Sequence, residues 1–244
     1  MAAIVIIPAR YDSTRFPGKP LYPLKGIPVI QHVYENSKHA RLADDVIVAT
    51  DNETIFERVF IFGGKAIMTD RKHPSGTDRI AEVAASMDYD IIVNVQADEP
   101  LIRPEMIDDV ITVLDDKRAS IGTLTKKIED PNEIADPNIV KVVFDKEGFA
   151  LYFSRAPIPF QAPNSELQAF HCYKHIGIYS YRREVLVALA KMKPTRLEQI
   201  EKLEQLRALE NGMKIKIKET FFETYGVDTP EDLERIEKCL SISL

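Results

Sequence analysis

Short apolar runs recur along the first half of the chain, separated by longer stretches with apolar residues on one face. Runs bounded by turn residues are typical of buried strands, and the longer stretches are typical of helices. The predicted strands are residues 4–7, 46–49, 66–68, 91–95 and 121–125. The predicted helices are residues 29–37, 53–62, 77–87 and 104–114. This alternation indicates βαβ units, so we expect an α/β fold with a mostly parallel central sheet and helices on both faces.

The alternation changes after Lys126. Two neighbouring strands are predicted, joined by the turn D-K-E-G at residues 145–148, and a proline-rich stretch then interrupts regular structure. The later predicted elements are strands 138–145, 149–153, 172–181 and 215–218 (the last alternating like an exposed strand) and helices 183–191, 198–210 and 230–239. No repeat or linker is evident. We therefore predict one domain over residues 1–244, with a smaller mixed-strand insert at roughly 127–181 that joins the same sheet.

Composition narrows the class of protein. The chain has 244 residues, 45% of them hydrophobic, and a formal net charge of −6. An acidic balance disfavours nucleic-acid and anionic-membrane partners, and no apolar run is long enough to span a bilayer. The two cysteines, Cys172 and Cys239, have no spacing typical of a zinc site or a disulfide framework. We expect a cytoplasmic protein without a nucleic-acid or membrane partner.

A cation-rich loop follows the first predicted strand. It reads R-Y-D-S-T-R-F-P-G-K-P and contains Arg10, Ser13, Arg15, Gly18 and Lys19. Ligands of α/β proteins bind beyond the carboxyl ends of sheet strands, and a polyphosphate would offset the repulsion among the three cations. The loop matches neither a P-loop nor a Rossmann glycine motif. The alternative is a solvated basic loop with surface salt bridges.

Two aspartates are placed where their carboxylates could bind a cation that is also bound by a phosphate. Asp98 comes three residues after the apolar strand 91–95, which places it at the same sheet edge as the basic loop. Asp228 precedes Thr229 and Pro230, which form a complete helix start without it. Mg²⁺ prefers one or two carboxylates together with substrate phosphates. The alternative is that each aspartate caps a turn or a helix.

A third segment, P-S-G-T-D-R, opens a predicted helix with small residues that could hold a base edge or an anion. Its alternative is an ordinary Ser75 cap with a surface Arg79. Three further polar positions have ordinary interpretations as well. His175 suits a structural histidine, and Glu204 and Gln205 suit the polar face of a solvated helix.

Taken together, these segments resemble the CMP-Kdo synthetases (3-deoxy-manno-octulosonate cytidylyltransferases) nearly from end to end. Ala97 departs from the family pattern, in which glycine is expected, and adds one methyl group beside Asp98. The motifs that carry the resemblance are I-P-A-R-Y-D-S-T-R-F-P-G-K-P-L, S-G-T-D-R, V-N-V-Q-A-D-E-P, L-Y-F-S-R-A-P-I-P, K-H-I-G-I-Y, L-E-Q-L-R and G-V-D-T-P-E-D-L.

The resemblance implies a nucleotide-diphospho-sugar transferase-like fold and a homodimer. It also implies a Mg²⁺-dependent enzyme that joins CTP and Kdo into CMP-Kdo and pyrophosphate for lipopolysaccharide biosynthesis. The insert would contribute sugar contacts and the dimer interface. By resemblance, the nucleotide is bound by Arg10, Ser13, Arg15, Lys19, Ser75 and Gln96. The implied catalytic residues are Asp98, Asp228, Lys19 and Arg15, of which Asp98 and Asp228 ligate the metal. The implied sugar-binding residues are Arg79, Arg155, His175, Tyr179, Glu204 and Gln205.

Three other functions remain open from the sequence. One is a cytidylyltransferase for another sugar acid, such as sialic acid. The second is a catalytically inactive module that binds CTP and regulates a partner, although two metal carboxylates are rarely needed for binding alone. The third is a glycosyltransferase, which would release CMP or CDP instead of pyrophosphate.

Overall fold

The computed structural model describes residues 1–12, 16–160, 171–227 and 229–242, the last four of these by their backbone only. The described strands are β1 (Ala3–Ala9), β2 (Pro23–Leu24), β3 (Ile27–Pro28), β4 (Asp45–Thr50), β5 (Ala66–Met68), β6 (Ile91–Asn94), β7 (Ile121–Lys127), β8 (Lys141–Phe144), β9 (Ala150–Ser154), β10 (Tyr173–Arg182) and β11 (Ile215–Glu219). The described helices are α1 (Val29–Lys38), α2 (Glu53–Ile61), α3 (Gly76–Ala85), α4 (Pro104–Thr112), α5 (Pro131–Ala135), α6 (Arg183–Ala190), α7 (Arg196–Glu201), α8 (Gln205–Glu210) and α9 (Pro230–Ile242).

Within the described residues, nine strands form one sheet whose main path runs β11-β7-β10-β6-β1-β4-β5. Strand β1 pairs in parallel with β4 and β6, and β7 pairs in parallel with β11. Strand β10 lies antiparallel between β6 and β7. The sheet is therefore mostly parallel, as predicted, with an antiparallel strand inserted near its middle.

The two faces of the sheet carry separate cores. Because side chains alternate along a strand, Val5 and Ile7 pack with α1 and α4 on one face, whereas Ile4 and Ile6 pack with α3 and α6 on the other. These β1 residues are completely buried. Helices on both faces confirm the predicted α/β architecture. No helix in the described part of the chain combines the length and the apolar character that a membrane span needs.

The predicted mixed strands form the hairpin β8–β9. Strand β8 pairs antiparallel with β9 and also with β10, where Lys141 lies opposite Lys174. The hairpin therefore belongs to the same sheet and not to a separate one. That the region also supplies a dimer interface stays a prediction.

The ends of the first-half elements differ from the predicted ends by at most two residues. One prediction for the second half was wrong. Segment 198–210 is not one helix: α7 ends before Lys202, whose φ is +56°, and α8 begins at Gln205. Strand β11 alternates as predicted, with Ile215 and Ile217 buried against the sheet and Lys218 exposed.

Gly122 in β7 is required by its neighbours. A Cβ there would overlap Ser180 Oγ and would lie 3.1 Å from the Val110 carbonyl oxygen, which already accepts the Ser180 hydroxyl. We expect Gly122→Ala to lower the free energy of unfolding by about 1–3 kcal/mol, as overpacking does. Gly177→Ala, on the neighbouring strand, is the matched control because its Cβ would enter open space. Urea denaturation of both variants checks this, and equal midpoints would contradict it.

Candidate active site

A cavity of about 240 Å³ opens at the carboxyl ends of β1 and β6. Three segments form its wall: the end of β1 with its loop, the start of α3, and the residues after β6. We call it the first cavity; the described residues that line it are Pro8, Arg10, Asp12, Lys19, Pro20, Gly76, Gln96, Ala97 and Asp98. This is the sheet edge at which ligands of α/β proteins bind.

Lys19 and Asp98 meet in the first cavity. Lys19 Nζ lies 2.5 Å from Asp98 Oδ2, and the two side chains are 12% and 31% exposed. Lys19 begins a short 3-10 turn, Lys19–Leu21, which starts from Gly18 with a φ of +71°. Glycine adopts this left-handed conformation without a Cβ clash, and the Gly18 amide donates to the Tyr11 carbonyl at 2.8 Å. The turn folds the loop back so that Lys19 reaches the residues after β6.

Arg10 brings a second positive charge to the first cavity. Its Nη2 is buried and has no hydrogen-bond partner among the described residues. Burial lowers the pKa of the guanidinium and the charge of Arg79 lowers it further, while Asp51 and Asp78 act in the opposite direction. A buried donor without an acceptor costs free energy, and a bound anion would supply the acceptor. The arrangement is therefore suited to an anionic ligand.

Asp98 supplies a carboxylate to the first cavity, the kind of oxygen ligand that a hard cation such as Mg²⁺ would use. The described residues contain no cluster of three or more His, Cys, Asp or Glu side chains that could hold a metal. A cation here would take one or two carboxylates and complete its oxygen ligands from a phosphate and water. The Val227 amide donates to the Asp98 carbonyl at 2.8 Å, which fixes the chain just before Asp228 against Asp98.

Helix α3 begins at the edge of the first cavity. Ser75 is its N-cap: Oγ accepts from the Asp78 amide at 3.1 Å and donates to the Asp78 carboxylate at 2.6 Å. Gly76 lines the cavity, and a Cβ there would approach Pro8 Cγ to 3.2 Å. Ser75 is thus an N-cap, one of the two alternatives left by the sequence; a contact to a nucleotide stays a prediction.

A second cavity, of about 150 Å³, adjoins the first. The described residues that line it are Thr77, Asn94, Gln96, Ile121, Tyr179, Tyr181, Leu189, Glu204 and Gln205. Gln96 lines both cavities, so the two are neighbours across one side chain. Burial raises the pKa of the Tyr179 and Tyr181 hydroxyls, which therefore remain protonated donors. The lining offers mixed donors and acceptors, as a polyhydroxylated ligand requires.

Four residues of the predicted site come together here: Gln96, Tyr179, Glu204 and Gln205. Sequence reasoning missed Thr77, Asn94 and Tyr181. Two of them could have been identified from the sequence pattern. Asn94 is a polar residue inside an apolar strand, and Tyr181 follows Tyr179 on the same strand face.

Two predicted sugar-binding arginines are not among the described residues that line the second cavity. Arg79 is completely buried; it forms a salt bridge of 2.7 Å with Asp51 and also donates to Thr69. Arg155 is half-buried, and its guanidinium donates to the carbonyl groups of Pro137, Glu201 and Lys202. A sugar contact by either arginine stays a prediction.

His175 lies within the sheet beside the second cavity. Its Nε2 is 3.0 Å from Thr123 Oγ1, and its ring packs edge-on against Phe153 and tilted against Tyr179. Burial lowers the pKa of His175 to about 3. The imidazole is therefore neutral at neutral pH and serves as a hydrogen-bonding group.

This pKa predicts a pH-dependent stability. Between pH 6.5 and about 3 the unfolded chain binds a proton at His175 that the folded chain excludes, so acid favours unfolding. The contribution of the neutral His175 to the free energy of unfolding is complete above pH 6.5 and is lost as the pH falls. Between pH 7 and pH 5, we expect the free energy of unfolding of His175→Gln to fall by about 2 kcal/mol less than that of the parent protein. Urea denaturation at both pH values checks this, and equal losses would contradict it.

Three predicted site residues lie outside the described residues. They are Ser13 and Arg15 of the basic loop and Asp228. Their roles as phosphate and metal ligands stay predictions.

Comparisons with known proteins point in one direction. The cytidylyltransferase family model matches residues 4–215. A 3-deoxy-manno-octulosonate cytidylyltransferase from Thermodesulfovibrio yellowstonii is 54% identical over 99% of both chains, and one from Geobacter metallireducens is 54% identical over 99% of this chain and 98% of its own. The solved structure of CMP:2-keto-3-deoxy-manno-octonic acid synthetase complexed with CTP is 42% identical, covers 100% of both chains and superposes with a TM-score of 0.94.

Proposed function

Since the chain belongs to the 3-deoxy-manno-octulosonate cytidylyltransferases, we propose that it transfers CMP from CTP to the anomeric hydroxyl of 3-deoxy-manno-octulosonate (Kdo). The products are CMP-Kdo, used in lipopolysaccharide biosynthesis, and pyrophosphate. One observation carries the proposal: a cavity with two cations and two carboxylates adjoins a cavity of mixed polar groups across Gln96. The first cavity suits a nucleoside triphosphate held with a cation, and the second suits the hydroxyl groups of a sugar.

In the proposed reaction the anomeric oxygen of Kdo attacks the α-phosphorus of CTP in line, and pyrophosphate leaves. Arg10 and Lys19 hold the triphosphate, and Ser13, Arg15 and Ser75 are expected to assist. No covalent enzyme intermediate is needed, so catalysis rests on positioning and on stabilisation of charge on the phosphate oxygens. The Nη2 of Arg10, which has no hydrogen-bond partner among the described residues, supports this role because a bound anion would supply its acceptor.

We propose that the reaction depends on Mg²⁺ held by Asp98 and Asp228. A bound Mg²⁺ would supply charge neutralisation at the triphosphate. Asp98 contributes a carboxylate that faces the cavity, while Lys19 stays close enough to balance its charge. The hydrogen bond from the Val227 amide to the Asp98 carbonyl supports the participation of Asp228.

The sugar is bound in the second cavity. Glu204 accepts hydrogen bonds from sugar hydroxyls, the Tyr179 hydroxyl donates, and the amides of Gln96 and Gln205 do both.

Arg155, Arg79 and His175 remain proposed sugar ligands on the basis of the family motifs. The described residues that line the second cavity include no cation that could pair with the Kdo carboxylate. Arg155 is therefore the first arginine to test for that role.

We also propose that the protein is a cytoplasmic homodimer. The exposed apolar side chains of Leu151 on β9 and Phe160 beyond it support an interface near the hairpin. Light scattering should give the mass of two chains, and Leu151→Glu should reduce it to that of one. A single-chain mass for the parent protein would contradict the proposal.

The activity test uses purified protein with CTP and Mg²⁺, and either Kdo or sialic acid as acceptor. We expect pyrophosphate release only when Kdo is added, together with formation of CMP-Kdo. Comparable turnover with sialic acid would favour the related sugar-acid enzyme. CTP binding without pyrophosphate release would favour a regulatory module, and release of CMP or CDP would favour a glycosyltransferase.

A further inference from the structure

The interruption between α7 and α8 is an unusual feature of the second half. Lys202, which directly follows α7, has φ +56° and ψ +45°, a left-handed backbone conformation that residues other than glycine rarely adopt. A residue keeps such a strained backbone conformation only when contacts with the surrounding structure hold it there. Glu204 and Gln205, which line the second cavity, follow immediately.

A buried ion pair joins the two helices across the interruption. Arg207 Nε lies 2.9 Å from Glu198 Oε2, and Arg207 Nη2 lies 2.5 Å from Glu198 Oε1. The two side chains are 8% and 12% exposed. Hydrogen bonds from Arg207 and from the Thr195 amide outweigh the effect of burial and hold the pKa of Glu198 below its usual range, so the carboxylate is charged at neutral pH.

This ion pair is incompatible with an uninterrupted helix. Residues nine positions apart in a continuous α-helix are separated by about 13.5 Å along its axis. Two direct hydrogen bonds between Glu198 and Arg207 can therefore form only when the chain folds back at Lys202. The pair stabilises the interrupted arrangement over the continuous helix that the sequence pattern alone predicts.

The same ion pair touches the wall of the second cavity. Arg207 Nη1 lies 3.5 Å from the carbonyl oxygen of Leu189, a lining residue at the end of α6. Arg207 is also three residues after Glu204, whose carbonyl accepts the Arg207 amide at 3.0 Å. On the other side of the interruption, Glu201 accepts hydrogen bonds from Ser154 Oγ and the Arg155 amide, which anchors the end of α7 to β9.

We propose that Glu198 and Arg207 are positioning residues whose ion pair holds the interruption at Lys202, and so places Glu204 and Gln205 for the acceptor sugar. The inference rests on the proposed function, because the ligand of the second cavity is taken to be Kdo. It also gives a role to Arg207, the last residue of the L-E-Q-L-R motif.

The first test is Glu198→Gln, which keeps the shape of the side chain and removes its charge. We expect the KM for Kdo to rise about tenfold, the scale of a small misplacement of binding groups, with the KM for CTP within about twofold of the parent value. Asp116→Asn is the matched control. Asp116 forms the same two-bond pair with Arg118, and it is not among the described residues that line either cavity. An unchanged KM for Kdo, or equal rises for both substrates, would overturn the inference.

The second test separates positioning from general stability. Lys202→Gly removes the steric penalty at the interruption and disfavours a continuous helix. In the Glu198→Gln background it is expected to restore most of the affinity for Kdo, and failure to do so would count against the proposal. If Glu198→Gln does not fold, the variant Glu198→Gln/Arg207→Gln avoids a buried unpaired charge and should show the same selective rise in KM.

A third measurement does not depend on the substrate. Amide hydrogen exchange at residues 203–206 should be faster in Glu198→Gln than in the parent protein, because the Leu203 and Leu206 amides are bonded within the interrupted arrangement. If the parent protein forms no CMP-Kdo, the proposed function fails while this measurement still tests the ion pair. If the parent protein is active and exchange is unchanged, the inference alone fails.

Discussion

Asp98→Asn is expected to lower turnover about a thousandfold, the scale seen when one preorganised electrostatic group is removed from an active site. The amide keeps the size of the side chain but loses the charge that would bind Mg²⁺. It also leaves Lys19, now 2.5 Å from the carboxylate, without its counter-charge. The measurement is kcat for CMP-Kdo formation across a Mg²⁺ titration.

The fold should survive this substitution. The bond that anchors the neighbouring segment runs from the Val227 amide to the backbone carbonyl of residue 98 and does not use the carboxylate. Asp88→Asn is the matched control, because that carboxylate is fully exposed. Near-normal turnover of Asp98→Asn at saturating Mg²⁺, with a Tm equal to that of the parent protein, would contradict the proposed role of Asp98 in the active site.

Lys19→Ala is expected to lower kcat/KM for CTP by about 10- to 150-fold. A hydrogen bond to a charged group contributes about 1.5–3 kcal/mol, and each 1.36 kcal/mol corresponds to a factor of ten in rate. Lys19 lines the first cavity only, so the KM for Kdo should stay within about twofold of the parent value. Steady-state kinetics with each substrate varied in turn provide the measurement.

Lys25→Ala provides the comparison for this loop. Lys25 is exposed, follows Lys19 by six residues, and is not among the described residues that line either cavity. It should have parent kinetics for both substrates. If Lys19→Ala and Lys25→Ala behave alike towards CTP, the specific role of Lys19 in binding the triphosphate is wrong.

The elements of the first half could be predicted because their signals are local. A run such as residues 4–7 is apolar on both faces, which indicates a strand covered by helices on each side, and β1 is buried throughout. Asp98 and Lys19 could be placed at one sheet edge for the same reason, since both follow predicted strands or their loops. Their ion pair agrees with that placement.

The features that were not predicted depend on contacts between distant residues. Strand β10 was predicted, but its antiparallel position between β6 and β7 follows from long-range pairing. The interruption at Lys202 depends on Arg207 reaching Glu198, against a local pattern that favours one helix. Arg79 looked available from the sequence, yet Asp51, 28 residues away, holds it inside the fold.

The side chain of Gln96 borders both cavities, and this has a thermodynamic consequence. Its amide nitrogen donates to Asn94 Oδ1 at 3.2 Å, and a ligand in either cavity would lie against this side chain. A nucleotide that selects one rotamer presents a different surface to the sugar. Linkage requires the reverse effect to be equal, so CTP must change the dissociation constant of Kdo by the same factor as Kdo changes that of CTP.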